Sequence, residues 1–306
     1  MIQLEKTEYR GWANCLRLSN AHAELIVTLD VGPRIISYAL KGGKNVFKNY
    51  PEMMGVTEGD AWMIFGGHRL WHAPEDPVRT YARDFAPVAY EWDGHTLTLL
   101  PPEEELTGLR KEIEVTLAPD SALVRVMHRI YNHNLWDVEL APWCLSVMDQ
   151  GARAIVPQEP FGAHPEHLLP ARPLVLWRFT DMQDPRWTWG TRYVELQQDP
   201  ARSSPQKVGM FNRQGWAACE VNEAVFVVKY PVHPDKPHAD QGANTELFTN
   251  GDMLEVETLG PLCTIVPGGV AEHVESWGLF AAKLGTTDAE LDAVLNPMVA
   301  KVPDAI

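Results

Sequence analysis

No apolar run in this chain of 306 residues approaches the roughly 20 residues that a membrane-spanning helix needs. The opening residues, MIQLEKTEYRGW, hold no apolar stretch of the kind that marks a secretory signal. Basic charge is also scarce: 26 Lys and Arg stand against 41 Asp and Glu, giving a formal net charge of −15. A surface of that sign repels phosphate backbones and anionic lipid, so neither nucleic acid nor a membrane is expected as a partner. Only four cysteines occur, Cys15, Cys144, Cys219 and Cys263, and no two form a CxxC pair. That spacing argues against a zinc knuckle or a redox motif and predicts buried free thiols acting as small hydrophobes. The expected compartment is the cytoplasm. Helical periodicity is scarce, and no repeat of 20 to 50 residues points to a solenoid or propeller.

Alternation is what the chain has instead. Glu24 to Asp30 places Leu25, Val27 and Leu29 on one face, the period-2 signature of a strand, and Arg34 to Leu40 resumes it after Gly32-Pro33. Lys111 to Leu117 alternates Ile113, Val115 and Leu117 against Glu112, Glu114 and Thr116, turns at Pro119-Asp120 and returns as Leu123 to Tyr131. Similar runs recur at 96–100, 138–148, 153–156, 175–179, 193–197, 215–221, 224–230, 247–248, 253–259 and 273–281. Many strands with almost no helix predict an all-β sandwich, and large sandwiches of this length form one unit, here residues 1–306. The exception is the tail. Thr287 and Glu290 have capping-box spacing, so a short helix is predicted over 288–295, stopped at Pro297. Three long irregular stretches remain, Asn49 to Pro87, Pro157 to Pro173 and Pro231 to Asn244, and long loops in compact proteins tend to be functional.

The densest chemistry lies in the first of these, Phe65-Gly66-Gly67-His68-Arg69-Leu70-Trp71-His72-Ala73-Pro74-Glu75-Asp76. Paired glycines allow a sharp turn or a close approach. An indole offers a flat apolar face to sugar C–H groups, while Arg, His and carboxylates exchange hydrogen bonds with hydroxyls. The plainer reading pairs Arg69 with Glu75 and places Trp71 in the core. His68 and His72, four apart, would share a helix face suited to zinc, but Gly-Gly and Pro74 argue against a long helix, so no metal is expected. In Asp252 to Pro261, Glu255 and Glu257 fall on one face of a strand about 7 Å apart, with Leu254 and Val256 on the other. Two adjacent carboxylates in a partly apolar cleft raise the pKa of one, which suits it to general-base work; two solvated surface glutamates are the alternative. Asn132, Trp143 and His164 supply further polar and aromatic groups. His128, on the Val124, Val126, Ile130 face, reads as a satisfied core histidine.

The segments ELIVTLDVGPRIISY, GGHRLWHAPE and LEVETLGP, with PGGVAEHVESW after it, resemble the aldose 1-epimerase (galactose mutarotase-like) superfamily. They are most similar to a bacterial branch made of domains of unknown function. The resemblance implies a β-supersandwich of two large antiparallel sheets and a small-molecule carbohydrate as partner, with no cofactor. It also implies anomer interconversion, in which a glutamate takes the proton of the anomeric hydroxyl and a histidine protonates the ring oxygen. Glu257-Thr258 matches the family's late glutamate–threonine pair and makes Glu257 the candidate base, and Arg69 matches an early-loop arginine. The stretch corresponding to the histidine, Glu139 to Leu145, offers Trp143 instead, so His72, His68 or His164 would have to act as acid. The expected substrate contacts are Arg69, Trp71, Glu75, Asn132, Trp143, His164 and Glu255. A sugar-binding module without chemistry, and a polysaccharide lyase or hydrolase, are the alternatives. The oligomeric state is left open.

Overall fold

The computed structural model describes residues 1–305. Nearly all of the regular structure is antiparallel strand, arranged as two large sheets packed face to face. From edge to edge the first sheet runs Gln3–Tyr9, Trp12–Ser19, Ala23–Thr28, Arg34–Leu40, Gly67–Ala73, Val138–Met148, Leu254–Leu259, Thr245–Thr249, Gln206–Met210 and Leu174–Leu176. Cys263–Ile265 pairs separately with Val138–Met148. The second sheet runs Trp187–Trp189, Tyr193–Gln197, Arg153–Pro157, Trp216–Val221, Ala224–Lys229, Val270–Ala281, Leu123–Asn132, Leu109–Leu117, Thr96–Leu100 and Ala89–Trp92. Among the described residues, no helix is long and apolar enough to cross a membrane.

The alternating runs form strands where the pattern places them. Ala23–Thr28 pairs with Arg34–Leu40, and Leu109–Leu117 pairs with Leu123–Asn132. Their inward residues meet between the sheets. Leu25, Val27 and Ile35 from one side and Ile113, Val115 and Val126 from the other join a single apolar cluster. At its centre Phe226 packs against Tyr38, Phe47 and Trp277, with ring centroids 6.3, 6.1 and 5.5 Å away. Cys15, Cys144 and Cys219 are buried free thiols and Cys263 is half-buried.

The stretch 49–87, read as irregular, contains the strand Gly67–Ala73. All seven of its residues are buried, and polar groups occupy both faces, so no period-2 signal marks it. The sequence expectation also omitted Trp12–Ser19, an eight-residue strand inside the first sheet, and several short or edge strands such as Ala89–Trp92 and Trp187–Trp189.

The capping box forms as expected: Thr287 accepts from the Glu290 N–H at 3.3 Å, and the Glu290 carboxylate accepts from the Thr287 N–H at 3.1 Å. The helix does not stop at Pro297; it spans Asp288–Lys301 with that proline inside. Leu291 and Leu295, with Val302 just beyond, pack on Ile155, Tyr193, Trp216 and Val225 of the second sheet's outer face. Tertiary burial therefore outweighs the one hydrogen bond that proline removes. Phe226→Ala should lower stability by about 3–5 kcal/mol without changing the slope of denaturant unfolding, as measured by urea titration.

Candidate functional site

Gly66 and Gly67 set the register of the strand that carries the densest chemistry. Both have positive φ, +101° and +74°. A Cβ on Gly66 would lie 1.9 Å from the Lys48 carbonyl oxygen, and one on Gly67 would lie 2.5 Å from the Ile35 carbonyl oxygen. The chain therefore enters the strand in one way only, and alternation sorts the side chains that follow. Arg69 and Trp71 point to the outer face of the first sheet; His68, Leu70 and His72 point to the inner side. The neighbouring strands obey the same rule. Trp143, Leu145, Glu255 and Glu257 face outward, while Cys144, Ser146, Val256 and Thr258 face the second sheet.

The outer face holds an apolar floor with a charged network set into it. Trp71, Ala141, Trp143, Leu145 and Leu259 form the floor, and Trp62 and Ala239 pack over it from loops. Arg69 Nη2 donates to Glu255 Oε1 at 3.0 Å, and its guanidinium stacks 4.3 Å from the Trp71 ring and 5.3 Å from the Trp62 ring. Trp143 Nε1 and Lys207 Nζ both donate to Glu257 Oε2, at 2.8 and 3.0 Å. Lys207 Nζ also lies 2.8 Å from Glu246 Oε2, and Glu246 stands directly across the ladder from Glu257. The ammonium sits between the rings of Trp143 and Trp177, at 4.7 and 4.8 Å.

Such burial moves proton affinities. Removal from water pushes the Glu246 carboxyl well above the ordinary carboxylate range; Lys207 counters this, and Glu257 and Asp240 add to it. Burial also raises Glu255, against the pull of Arg69, and Asp240, against that of Lys207. Lys207 is desolvated as well, but Glu257 and Glu246 together raise its pKa and keep it an ammonium.

Beside this network a cavity of about 1160 Å³ is lined by Trp62, Arg69, Trp71 and Tyr81. The Tyr81 phenol donates to Glu75, which is exposed and does not itself line the cavity. Glu257 does not line the cavity and has no exposed surface. Its Oε1 has no hydrogen-bond partner.

Of the residues singled out in the sequence, Glu257, Glu255, Arg69, Trp71 and Trp143 come together on this face, with Glu75 at its edge. The other four do not join them. His68 is fully buried between the sheets, where its imidazole meets Ser146 and His128. His72 shares that inward side, and burial, with Lys111 and Arg79 nearby, lowers its pKa to about 3, so it carries no imidazolium at neutral pH. Asn132 spends its amide on structure, donating to the carbonyls of Trp136 and Ile265 and accepting from the Asn134 N–H. His164 is exposed in the loop that leaves the second sheet after Arg153–Pro157. Sequence reasoning missed Lys207, Glu246, Trp62 and Tyr81. Lys207 and Glu246 sit on short strands, QKVGM and TELFT, where a lone charge reads as solvated surface.

No family model matches this sequence, and no curated protein matches it. Solved structures do. A galactose mutarotase-like protein from Lactobacillus casei aligns over 87% of this chain and 100% of its own, with a TM-score of 0.57 at 10% identity. A second, from Clostridium acetobutylicum, aligns over 92% and 99%, with a TM-score of 0.53 at 8% identity. The fold is galactose mutarotase-like. The same fold occurs in a TPR-domain containing protein from Parabacteroides distasonis, matched with a TM-score of 0.59 at 14% identity over 95% of this chain; this chain spans about half of that protein's length, 52%.

Within this mutarotase-like sheet, Lys207 holds two buried carboxylates. Lys207→Met should cost about 3–5 kcal/mol near neutral pH, because it leaves both without their cation. Glu246 binds its proton more tightly folded than unfolded, so its contribution favours the folded state below the ordinary carboxylate pKa and is lost as pH rises through the raised one. Removing the ammonium widens that gap. The variant's deficit should therefore be larger at about pH 8 than at about pH 5, read from urea midpoints at both.

Proposed function

We propose that this outer face binds a small carbohydrate. The observation that carries the reading is the cavity wall of Trp62, Trp71 and Tyr81, with Arg69 among them. The three rings touch in edge-on and tilted pairs, 4.8 Å between Trp62 and Trp71 and 4.9 Å between Trp71 and Tyr81. They present apolar ring surface to a pyranose face, while Arg69 and the Tyr81 hydroxyl, which Glu75 holds, can address sugar hydroxyls. The paired acids around Arg69 and Lys207, and the acidic protein as a whole, favour a neutral sugar over a polyanionic one. The resemblance of the GGHRLWHAPE segment to a bacterial branch of the superfamily points the same way. Titration of a panel of neutral monosaccharides by NMR or calorimetry should find a ligand whose affinity falls at least about tenfold in Trp71→Ala. Failure of every sugar to bind the wild-type protein would sink the proposal.

A second reading is anomer interconversion, favoured by the unpartnered Oε1 of buried Glu257. In this reading Glu257 Oε1 takes the proton of the anomeric hydroxyl, and the ring C1–O bond breaks as the ring oxygen receives a proton. Rotation about C1–C2 and the reverse transfers then close the other anomer. Trp143, in place of a histidine, donates to Glu257 and holds it in position. The proton donor is the Glu246 carboxyl, which burial keeps protonated above the usual range, while Lys207 remains a fixed positive charge between the two acids. Entry of a sugar requires the 231–244 loop, which lays Ala239 over Trp143, to lift. Polarimetry of freshly dissolved α-aldoses tests this. Acceleration reduced about 10²–10⁴-fold in Glu257→Gln, with sugar affinity retained, is the expected result. No acceleration by the wild-type protein with any sugar it binds would leave binding alone.

A further inference from the structure

Between the sheets, behind the outer face, lies a polar cluster that the carbohydrate site does not use. His68 and Cys144 reach it from the first sheet, and His128, His273 and Glu275 from the second. All five are buried. The two imidazoles His68 and His128 point their Nε2 atoms at each other, 2.7 Å apart, and both lie within 4.8 Å of the Cys144 sulfur. Glu275 Oε2 is 3.8 Å from His68 Nε2, and Glu275 and Cys144 also approach within 4.8 Å. The far nitrogens are held from behind. His128 Nδ1 donates to the His273 carbonyl at 3.0 Å, and His68 Nδ1 lies 2.9 Å from Ser146 Oγ.

We propose that His68, His128, Cys144 and Glu275 form a structural site for one divalent transition-metal ion of the zinc class, which ties the two sheets together. Two converging Nε2 atoms, each with its Nδ1 anchored to an oxygen, are the arrangement in which metal-ligating histidines are normally held. A thiolate with two imidazoles selects zinc or a similar borderline cation over magnesium or calcium; Glu275, which now accepts from Thr258 Oγ1 and Trp277 Nε1 and groups with Cys144 and His273, turns toward the ion to become the fourth ligand. Without a cation, the carbonyl partner fixes His128 as the Nδ1–H tautomer, so its Nε2 accepts from His68 Nε2–H. On binding, that proton moves to His68 Nδ1, where Ser146 Oγ accepts it. Both Nε2 lone pairs then face the ion, and the Cys144 thiol proton is released to solvent. Tetrahedral coordination at zinc–nitrogen distances near 2.0–2.1 Å needs the two nitrogens about 3.3 Å apart, so the rings open by about 0.6 Å. Sequence spacing does not reveal this set. His68 and His72 looked like the candidate pair, but on a strand residues four apart lie about 13 Å apart, and His128 and Cys144 are remote in sequence.

A fully buried site loads during folding, so the test starts from unfolded protein. The untagged chain is unfolded in guanidinium with a chelator, then refolded with Zn²⁺, with Co²⁺ or with neither. The expected result is one equivalent of metal retained after desalting and a higher denaturant midpoint for the metal-refolded protein. The cobalt form should show visible d–d bands with thiolate-to-cobalt charge transfer. The charge-transfer absorption should vanish in Cys144→Ser and persist in Cys219→Ser, whose thiol lies outside the cluster. Should Cys144→Ser not fold, the wild-type comparison still decides. Wild-type protein that refolds equally well without metal, retains none and gives no cobalt spectrum would mean that the cluster is a hydrogen-bonded network alone, and the proposal would be overturned.

Discussion

One register underlies both sides of the first sheet. The Gly67–Ala73 strand is buried on both faces, and a slip of one residue would exchange Arg69 for His68 and Trp71 for His72. Arg69 would then displace the His68–His128–Ser146 contacts between the sheets, beside a Glu275 carboxylate already held by Thr258 and Trp277, while Glu255 would lose its cation on the outer face. A buried Glu255 without its cation is among the most expensive things a fold can hold. The glycine pair prevents the slip by sterics, since no side chain fits against the Lys48 and Ile35 carbonyls. Three strands share this constraint, because Val138–Met148 pairs with Gly67–Ala73 on one side and Leu254–Leu259 on the other.

Much of the fold was legible because most strands have one apolar face and one polar face. Lys111–Leu117 announces itself by alternation, and so does its partner Leu123–Tyr131. Where that contrast fails, the reading fails too. Gly67–Ala73 carries Arg and Trp on one face and two histidines with a leucine on the other, so its hydrophobicity has no period, although it sits at the middle of the sheet. The helix tail shows the opposite error, in which local chemistry was read too strongly. Pro297 is a breaker in an isolated peptide, but burial of Leu291, Leu295 and Val302 against the second sheet carries the helix through it.

The site was half legible for a related reason. Glu255, Glu257, Arg69, Trp71 and Trp143 lie in segments whose strand parity can be counted, and parity alone puts the two glutamates together. The cation between the acids cannot be found that way. Lys207 precedes Glu257 by fifty residues and reaches it only because Gln206–Met210 lies two strands away in the sheet, across Thr245–Thr249. Asn132 was misread because a buried asparagine that fastens a turn looks, in sequence, the same as one that meets a ligand. The histidines were misread because the spacing says which side of a strand they share but not which side that is.

The placement of Trp143 connects these points to chemistry. An indole N–H can hold a carboxylate but cannot give up its proton near neutral pH, so Trp143 is a fixed donor to Glu257. Glu246 and Glu257 stand opposite each other on adjacent strands, and two carboxylates so close resist being ionised together. Lys207 relieves that repulsion only in part, because one ammonium faces two acids, and burial acts further against the second charge. The outcome is a raised proton affinity at Glu246, beside an ammonium that two acids share. The imidazoles, held neutral between the sheets with every described partner an oxygen or another ring nitrogen, belong to a separate polar layer. The two layers share the backbone of strands buried on both sides.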